Sequence, residues 1–270
     1  MRFRALVALL VTVAGVSITA PLSAQPLEKL FINTGPDPFQ KYQILRYDGR
    51  DWQGMTAQLR AAFSITTGAA LPTLAALQNY DALWVDQRYG VSPTASDLAT
   101  LLGFAATGRR VVIIGENATL FDLRFLQWSG PIIEALGGTQ PSGYARCPYG
   151  VVKTVLANSL TAGVKSAGVG CAGYAVGGTP LFDYNVATLW GPTLNVLTML
   201  DANMVDDFYP TYGDGLQYQK NVVSWLGADV GSALGAAGIV TPEPATMALM
   251  LPALLGLLSL ARRRSGRLEQ

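Results

Sequence analysis

Five short polar residues stand at the ends of apolar segments, where α/β proteins most often place their chemistry. Asn33 closes Leu30-Phe31-Ile32, Asp86 closes Ala82-Leu83-Trp84-Val85, Glu116 and Asn117 follow Arg110 to Gly115, and Asp201 follows Leu194 to Leu200. If those segments are strands of an open parallel sheet, all five residues reach one edge, the edge at which such sheets take ligands. Asp86 and Glu116 would then form a carboxylate pair able to act as acid and base on a glycosidic bond. Joined by Asp206, Asp207 and Asp214, the set could instead offer hard oxygen ligands to Ca²⁺. The twelve-residue calcium-loop spacing is absent, so no metal is assigned and no cofactor is expected. The competing reading is structural, because the same residue types cap helices and form turns. The chain contains no histidine. That removes Ser-His-Asp and Cys-His triads, His-ligated zinc and the commonest general base.

The elements that must position these residues follow from hydrophobic periodicity. Strands are predicted at Leu30–Asn33, Phe63–Thr66, Ala82–Val85 and Arg110–Ile114. Helices are predicted at Asp51–Phe63, at Ser92–Ala106 with Pro93 near its first turn, and from about Leu123 to Leu136 with an interruption at Gly130-Pro131. Strand, loop and amphipathic helix repeated three times is the signature of a parallel sheet with helices on both faces. After Gly138 the chain becomes rich in Gly, Ser and Thr. Short irregular strands are expected from Gly143 to Tyr184, then a hairpin or two successive strands over Val186–Trp190 and Leu194–Leu200, and a closing helix from Gln217 to Leu226. The expected architecture is α/β: a three-layer, open, mostly parallel sheet of flavodoxin-like type over residues 25–226, with a β-rich second half. Tyrosines cluster in the intervening loops, among them Tyr144, Tyr149, Tyr209 and Tyr212. Such rings either pack or present a surface suited to sugars or proteins.

The order of elements resembles the class I glutamine amidotransferase-like fold, including ThuA-like proteins. The likeness is carried by Tyr80-Asp-Ala-Leu-Trp-Val-Asp86, by the long helix before Arg109-Arg-Val-Val-Ile-Ile-Gly115, by Leu160-Thr-Ala-Gly163 and by the closing strand and helix. In that family a cysteine sits in a Gly-x-Cys-x-Gly elbow after the strand equivalent to Arg110–Ile114. Here the chain reads Gly115-Glu116-Asn117-Ala118-Thr119, without nucleophile or second glycine. Amidotransferase chemistry is therefore not implied.

The chain's ends read as addresses. Met1 to Gln25 has a short basic start, an apolar run from Ala5 to about Ile18 and small residues near Ala24, the layout of a secretory signal peptide. Cleavage is expected after Ala24, with Ala20 the other possible point. At the other end, a Gly/Ala-rich linker over 227–240 leads to Pro242-Glu243-Pro244, an apolar run over 245–261, and Arg262, Arg263 and Arg264 in a basic tail over 262–270. Seventeen residues at about 1.5 Å each span roughly 25 Å, enough for one thin transmembrane helix. The flanking arginines would hold it with the body outside.

A Pro-Glu-Pro motif, a single span and a terminal Arg cluster in this order resemble the PEP-CTERM sorting signal of Gram-negative bacteria. The resemblance covers about Thr241 to Gln270. It implies export, recognition by an exosortase, transient anchoring in the inner membrane, and delivery to the cell surface or extracellular matrix, often where exopolysaccharide and biofilm are made. Pro242 and Pro244 keep the motif extended, as entry into a protease cleft requires.

Cys147 and Cys171 are the two cysteines. In an oxidising compartment, and without metal-ligand spacing, they are expected to form one disulfide fastening the glycine-rich stretch. Half the residues are hydrophobic, 14% are charged and the net charge is +1. Between Gln25 and Val240, 13 Lys and Arg stand against 16 Asp and Glu, a net −3. Such a body offers nothing to nucleic acid. Three functional readings follow: an exported surface protein whose α/β body binds polysaccharide or a partner without catalysis, a divergent hydrolase using Asp86 and Glu116 on extracellular carbohydrate, and a purely structural matrix component.

Overall fold

The computed structural model describes residues 27–35, 45–117, 123–147 and 149–228. The signal peptide, the Pro-Glu-Pro motif, the apolar run over 245–261 and the Arg-rich tail lie outside the described residues, as does most of the linker. Among the described residues no helix is long and apolar enough to cross a membrane.

Four mainly apolar strands form the centre: β1 (Glu28–Asn33), β3 (Ala82–Val85), β4 (Arg110–Ile114) and β9 (Val196–Met199). With β2 (Phe63–Gly68) on the far side of β1, they make five parallel strands in the order β2-β1-β3-β4-β9. This is the flavodoxin-like order, two strands from the first half lying to one side of the switch point. β8 (Ala187–Trp190) and the two-residue β7 (Thr179–Pro180) extend the sheet antiparallel beyond β9. The Gly191–Asn195 connection between β8 and β9 is therefore a hairpin, one of the two expected arrangements.

Continuous apolar strings are what a sheet covered on both faces needs. Leu30, Ile32, Trp84, Val112 and Ile114 point into one core with α1 (Gln53–Ala62) and α5 (Gly215–Gly227). Phe31, Leu83, Val85, Val111 and Ile113 point into the other, against α2 (Leu74–Leu77), α3 (Ala95–Ala106) and α4 (Leu126–Ala135). The body thus has the expected three layers. Trp52 and Trp84 are fully buried and meet edge to face at 6.2 Å, a geometry favoured by the ring quadrupoles.

Two local expectations are corrected, and one short helix is new. α3 begins at Ala95, because Thr94 caps it and Asp97 completes a capping box, leaving Pro93 outside the helix. α4 runs unbroken through Gly130-Pro131. Burial of Trp128, Ile132 and Ile133 on this face outweighs one missing amide hydrogen bond. α2, a single turn, gave no periodic signal.

The segment after α4 carries β5 (Gly150–Lys153) and β6 (Ser166–Val169), an antiparallel pair separate from the main sheet. Cys147 and Cys171 are joined in a disulfide with Cα atoms 4.3 Å apart, close enough for the bridge.

Candidate functional site

Because β1, β3, β4 and β9 are parallel, their carboxyl ends share one edge, and the five residues singled out by sequence all reach it. Asn33 ends β1, Asp86 follows β3, Glu116 and Asn117 follow β4, and Asp201 follows β9. None faces solvent: Asn33, Asp86, Asn117 and Asp201 are 0% exposed and Glu116 is 4% exposed.

Each is held by an internal partner. Asp86 accepts from the Trp84 indole at 2.7 Å and from the Tyr47 amide at 3.2 Å. Burial pushes its pKa up to about 7, against the opposing pull of those two donors and of Arg46 and Arg88. Asp201 accepts from the amides of Gly170 at 2.7 Å and Asn203 at 2.9 Å, and burial raises it to about 7 as well. Glu116 accepts from the amides of Asn117 at 2.9 Å and Ala202 at 3.4 Å. Burial, and then the neighbouring Asp201 carboxylate, push Glu116 well above the usual range. Two interacting, buried carboxyl groups favour a proton on the pair.

The partners of Asp201 and Asn117 identify what lies over the edge. The Asn117 side-chain amide donates to the carbonyl of Cys171, Gly170 donates to Asp201, and the Gly173 amide donates to the Leu200 carbonyl at 2.7 Å. A Cβ at Gly173 would come within 2.9 Å of the Asn117 Cα, so only glycine lets the two backbones approach this closely. Gln140 donates to the Glu116 carbonyl at 2.8 Å. The disulfide-fastened segment thus lies against the strand ends of β4 and β9. Asn117 serves as an anchor for this cover.

At the switch point between β1 and β3 the arrangement is different. Arg88 donates to the Asn33 side-chain oxygen and lays its guanidinium 3.7 Å from the Trp128 ring centroid, a cation–π contact strengthened by burial. Asn33 in turn donates to the carbonyls of Gly68 and Ala69 at 3.0 and 3.3 Å, tying the ends of β1 and β2. Arg88 and Trp128 were not singled out by sequence. Neither belongs to a motif, and their meeting depends on α4 packing over the sheet.

The acidic residues of the next loop are also structural. Asp206 accepts from the amides of Phe208 and Tyr209, Asp207 from those of Gln53 and Gly54, and Asp214 from those of Lys165 and Ser166. The tyrosines divide: Tyr47 and Tyr218 are core residues, whereas Tyr144, Tyr149, Tyr184 and Tyr212 are exposed.

No family model matches the chain, and no curated protein matches it in sequence. Solved structures do resemble it. The N-terminal domain of mmIFT52 superposes with a TM-score of 0.56 at 13% identity, covering 73% of this chain and 100% of that one. A Thermoplasma acidophilum protein named as one of the subunits of GMP synthase gives a TM-score of 0.41 at 12% identity, over 73% of this chain and 94% of that one. A ThuA-like protein from Bacteroides uniformis gives 0.45 at 11% identity, over 77% and 94%. At these identities the likeness to the IFT52 domain is one of fold alone.

Proposed function

We infer that the protein is an exported, exosortase-processed surface or matrix protein of a Gram-negative bacterium, whose α/β body binds polysaccharide without catalysis. One observation carries this reading: Pro242-Glu243-Pro244, the apolar run over 245–261 and Arg262 to Arg264 stand in the order of a PEP-CTERM signal, behind an N-terminal export signal. The Cys147–Cys171 disulfide supports it, since such bonds persist in oxidising compartments. The body is read as a class I glutamine amidotransferase-like fold in which Asn117 replaces the nucleophile. Its partners on the route would be the export machinery and an exosortase, with the membrane held through the C-terminal run until processing.

The non-catalytic reading of the body rests on the fate of its carboxylates. A hydrolase would need Asp86 and Glu116 to touch substrate, yet both are buried with their oxygens engaged by Trp84, Tyr47, Asn117 and Ala202. The lack of histidine removes the usual alternative base.

The sorting route is tested by replacing Pro242, Glu243 and Pro244 with alanine in the native host. The expected result is a longer, unprocessed chain retained in the membrane fraction and absent from the surface. Unchanged processing and release would refute the reading.

A further inference from the structure

Beside the covered edge, the 3-10 turn Tyr209–Thr211 and its flanks present aromatic rings to solvent on a backbone held from every side. Asp206 accepts from the Phe208 and Tyr209 amides at 2.9 and 2.7 Å, and is itself gripped by Asn203 at 2.8 Å. Gln219 of α5 donates to the Asp206 carbonyl at 2.8 Å, and Thr211 donates to the Phe208 carbonyl at 2.6 Å. Pro210 is buried. A Cβ at Gly168 would collide with the Tyr209 carbonyl, and one at Gly215 would reach within 2.5 Å of the Pro210 Cα. This backbone is pressed onto β6 and α5 with no slack.

The rings do not share that burial. Phe208, Tyr212 and Tyr149 are 59%, 41% and 63% exposed. Phe208 meets Tyr209 at 5.1 Å and Tyr212 at 5.6 Å, Tyr209 lies 6.3 Å from Tyr212 at a 39° tilt, and Tyr149 is near enough to Tyr209 to act on its hydroxyl. A core would have buried such rings, and an ordinary loop would not have been built this rigidly around them. A rigid platform loses little conformational entropy when a ligand lands on it.

We propose that Phe208, Tyr209, Tyr212 and Tyr149 form a binding platform for a neutral polysaccharide, stacking against the C–H faces of successive pyranose rings while the tyrosine hydroxyls meet sugar hydroxyls. This rests on the polysaccharide-binding reading above and gives it a site. Two observations select the occupant. At about 150–250 Å² per aromatic side chain, the exposed ring surface is on the order of 300 Å², well short of the ~800 Å² per partner that a stable protein interface buries and suited to a few sugar units. The surroundings are acidic: the exposed Asp207 stands immediately before Phe208, and burial, then neighbouring carboxyl groups, raise the Tyr209 hydroxyl pKa. An anionic polymer is repelled there, and a neutral one is not.

The test is affinity electrophoresis of the full-length chain, in mild detergent, through native gels containing laminarin, dextran, hydroxyethylcellulose or galactomannan, with alginate as the anionic polymer. Retardation by at least one neutral polymer is expected. Phe208→Ala, Tyr212→Ala and Tyr149→Ala should each weaken it about two- to tenfold, Phe208→Trp should preserve it, and all should melt with the parent because the rings are exposed. Retardation by a neutral polymer that the alanine variants leave unchanged overturns the platform while the polysaccharide reading stands. Retardation by alginate alone does the same. No retardation by any polymer overturns both.

Discussion

The amide of Gly170 donates to the carboxylate of Asp201 at 2.7 Å, which ties the residue before Cys171 to the end of β9. With Asn117 holding the Cys171 carbonyl, this bond makes the strand ends of β4 and β9 an interior surface. The carboxylates that sequence places at that edge are docking points for the protein's own backbone. Breaking either partner leaves a buried polar group unsatisfied, which costs more than the bond contributes when formed.

Stability should fall as pH rises through the mildly acidic range. Asp86 and Asp201 have pKa values raised from 3.8 to about 7, chiefly by burial, and Glu116 is shifted in the same direction. Between about pH 4 and 7 the folded protein keeps protons that the unfolded chain has released, so the stabilisation is complete below the unfolded value and is lost as pH passes the folded one. Urea midpoints should be higher at pH 5 than at pH 7.5, by the equivalent of about 1 kcal/mol or more, and Asp86→Asn should reduce the difference. A midpoint that rises from pH 5 to pH 7.5 would contradict this assignment of buried, proton-holding carboxyls.

Loss of the disulfide should loosen the cover before the sheet. Cys147 and Cys171 are 24 residues apart, and closing such a loop contributes about 3 kcal/mol in the chain-entropy model. Replacing both with serine should lower the urea midpoint accordingly, and limited proteolysis should then cut first between residues 141 and 178. Equal midpoints, or first cuts elsewhere, would show that the bridge does not secure this segment.

Much of the sheet was legible because its signals are local. Arg110–Ile114 and Ala82–Val85 are apolar strings flanked by polar residues, and a strand buried on both faces needs little else. The disulfide was expected because the chain has two cysteines and no metal-ligand spacing between them. The cover over the edge was not legible. Asn117 and Cys171 lie 54 residues apart, and the groups that satisfy Asp201 and Asp86 are main-chain amides of Gly170, Asn203 and Tyr47, which carry no side-chain signature. Asp86 and Glu116 therefore looked free for chemistry when read along the chain. Pro131 misled in the same way, since the burial that carries α4 through it comes from residues distant in sequence.

The Asp201 carboxyl group at the end of β9 binds the disulfide-fastened segment through the Gly170 amide. Amide hydrogen exchange at Gly170 measures this directly. In the oxidised protein the Gly170 amide should exchange with the slow amides of the body, and in Asp201→Ala its protection should fall by about tenfold or more, the scale of a charged hydrogen bond, while the amides of β4 stay protected. A Gly170 amide that exchanges as fast as an exposed loop amide in the parent protein, or one indifferent to Asp201→Ala, would contradict the claim and reopen the edge as a site.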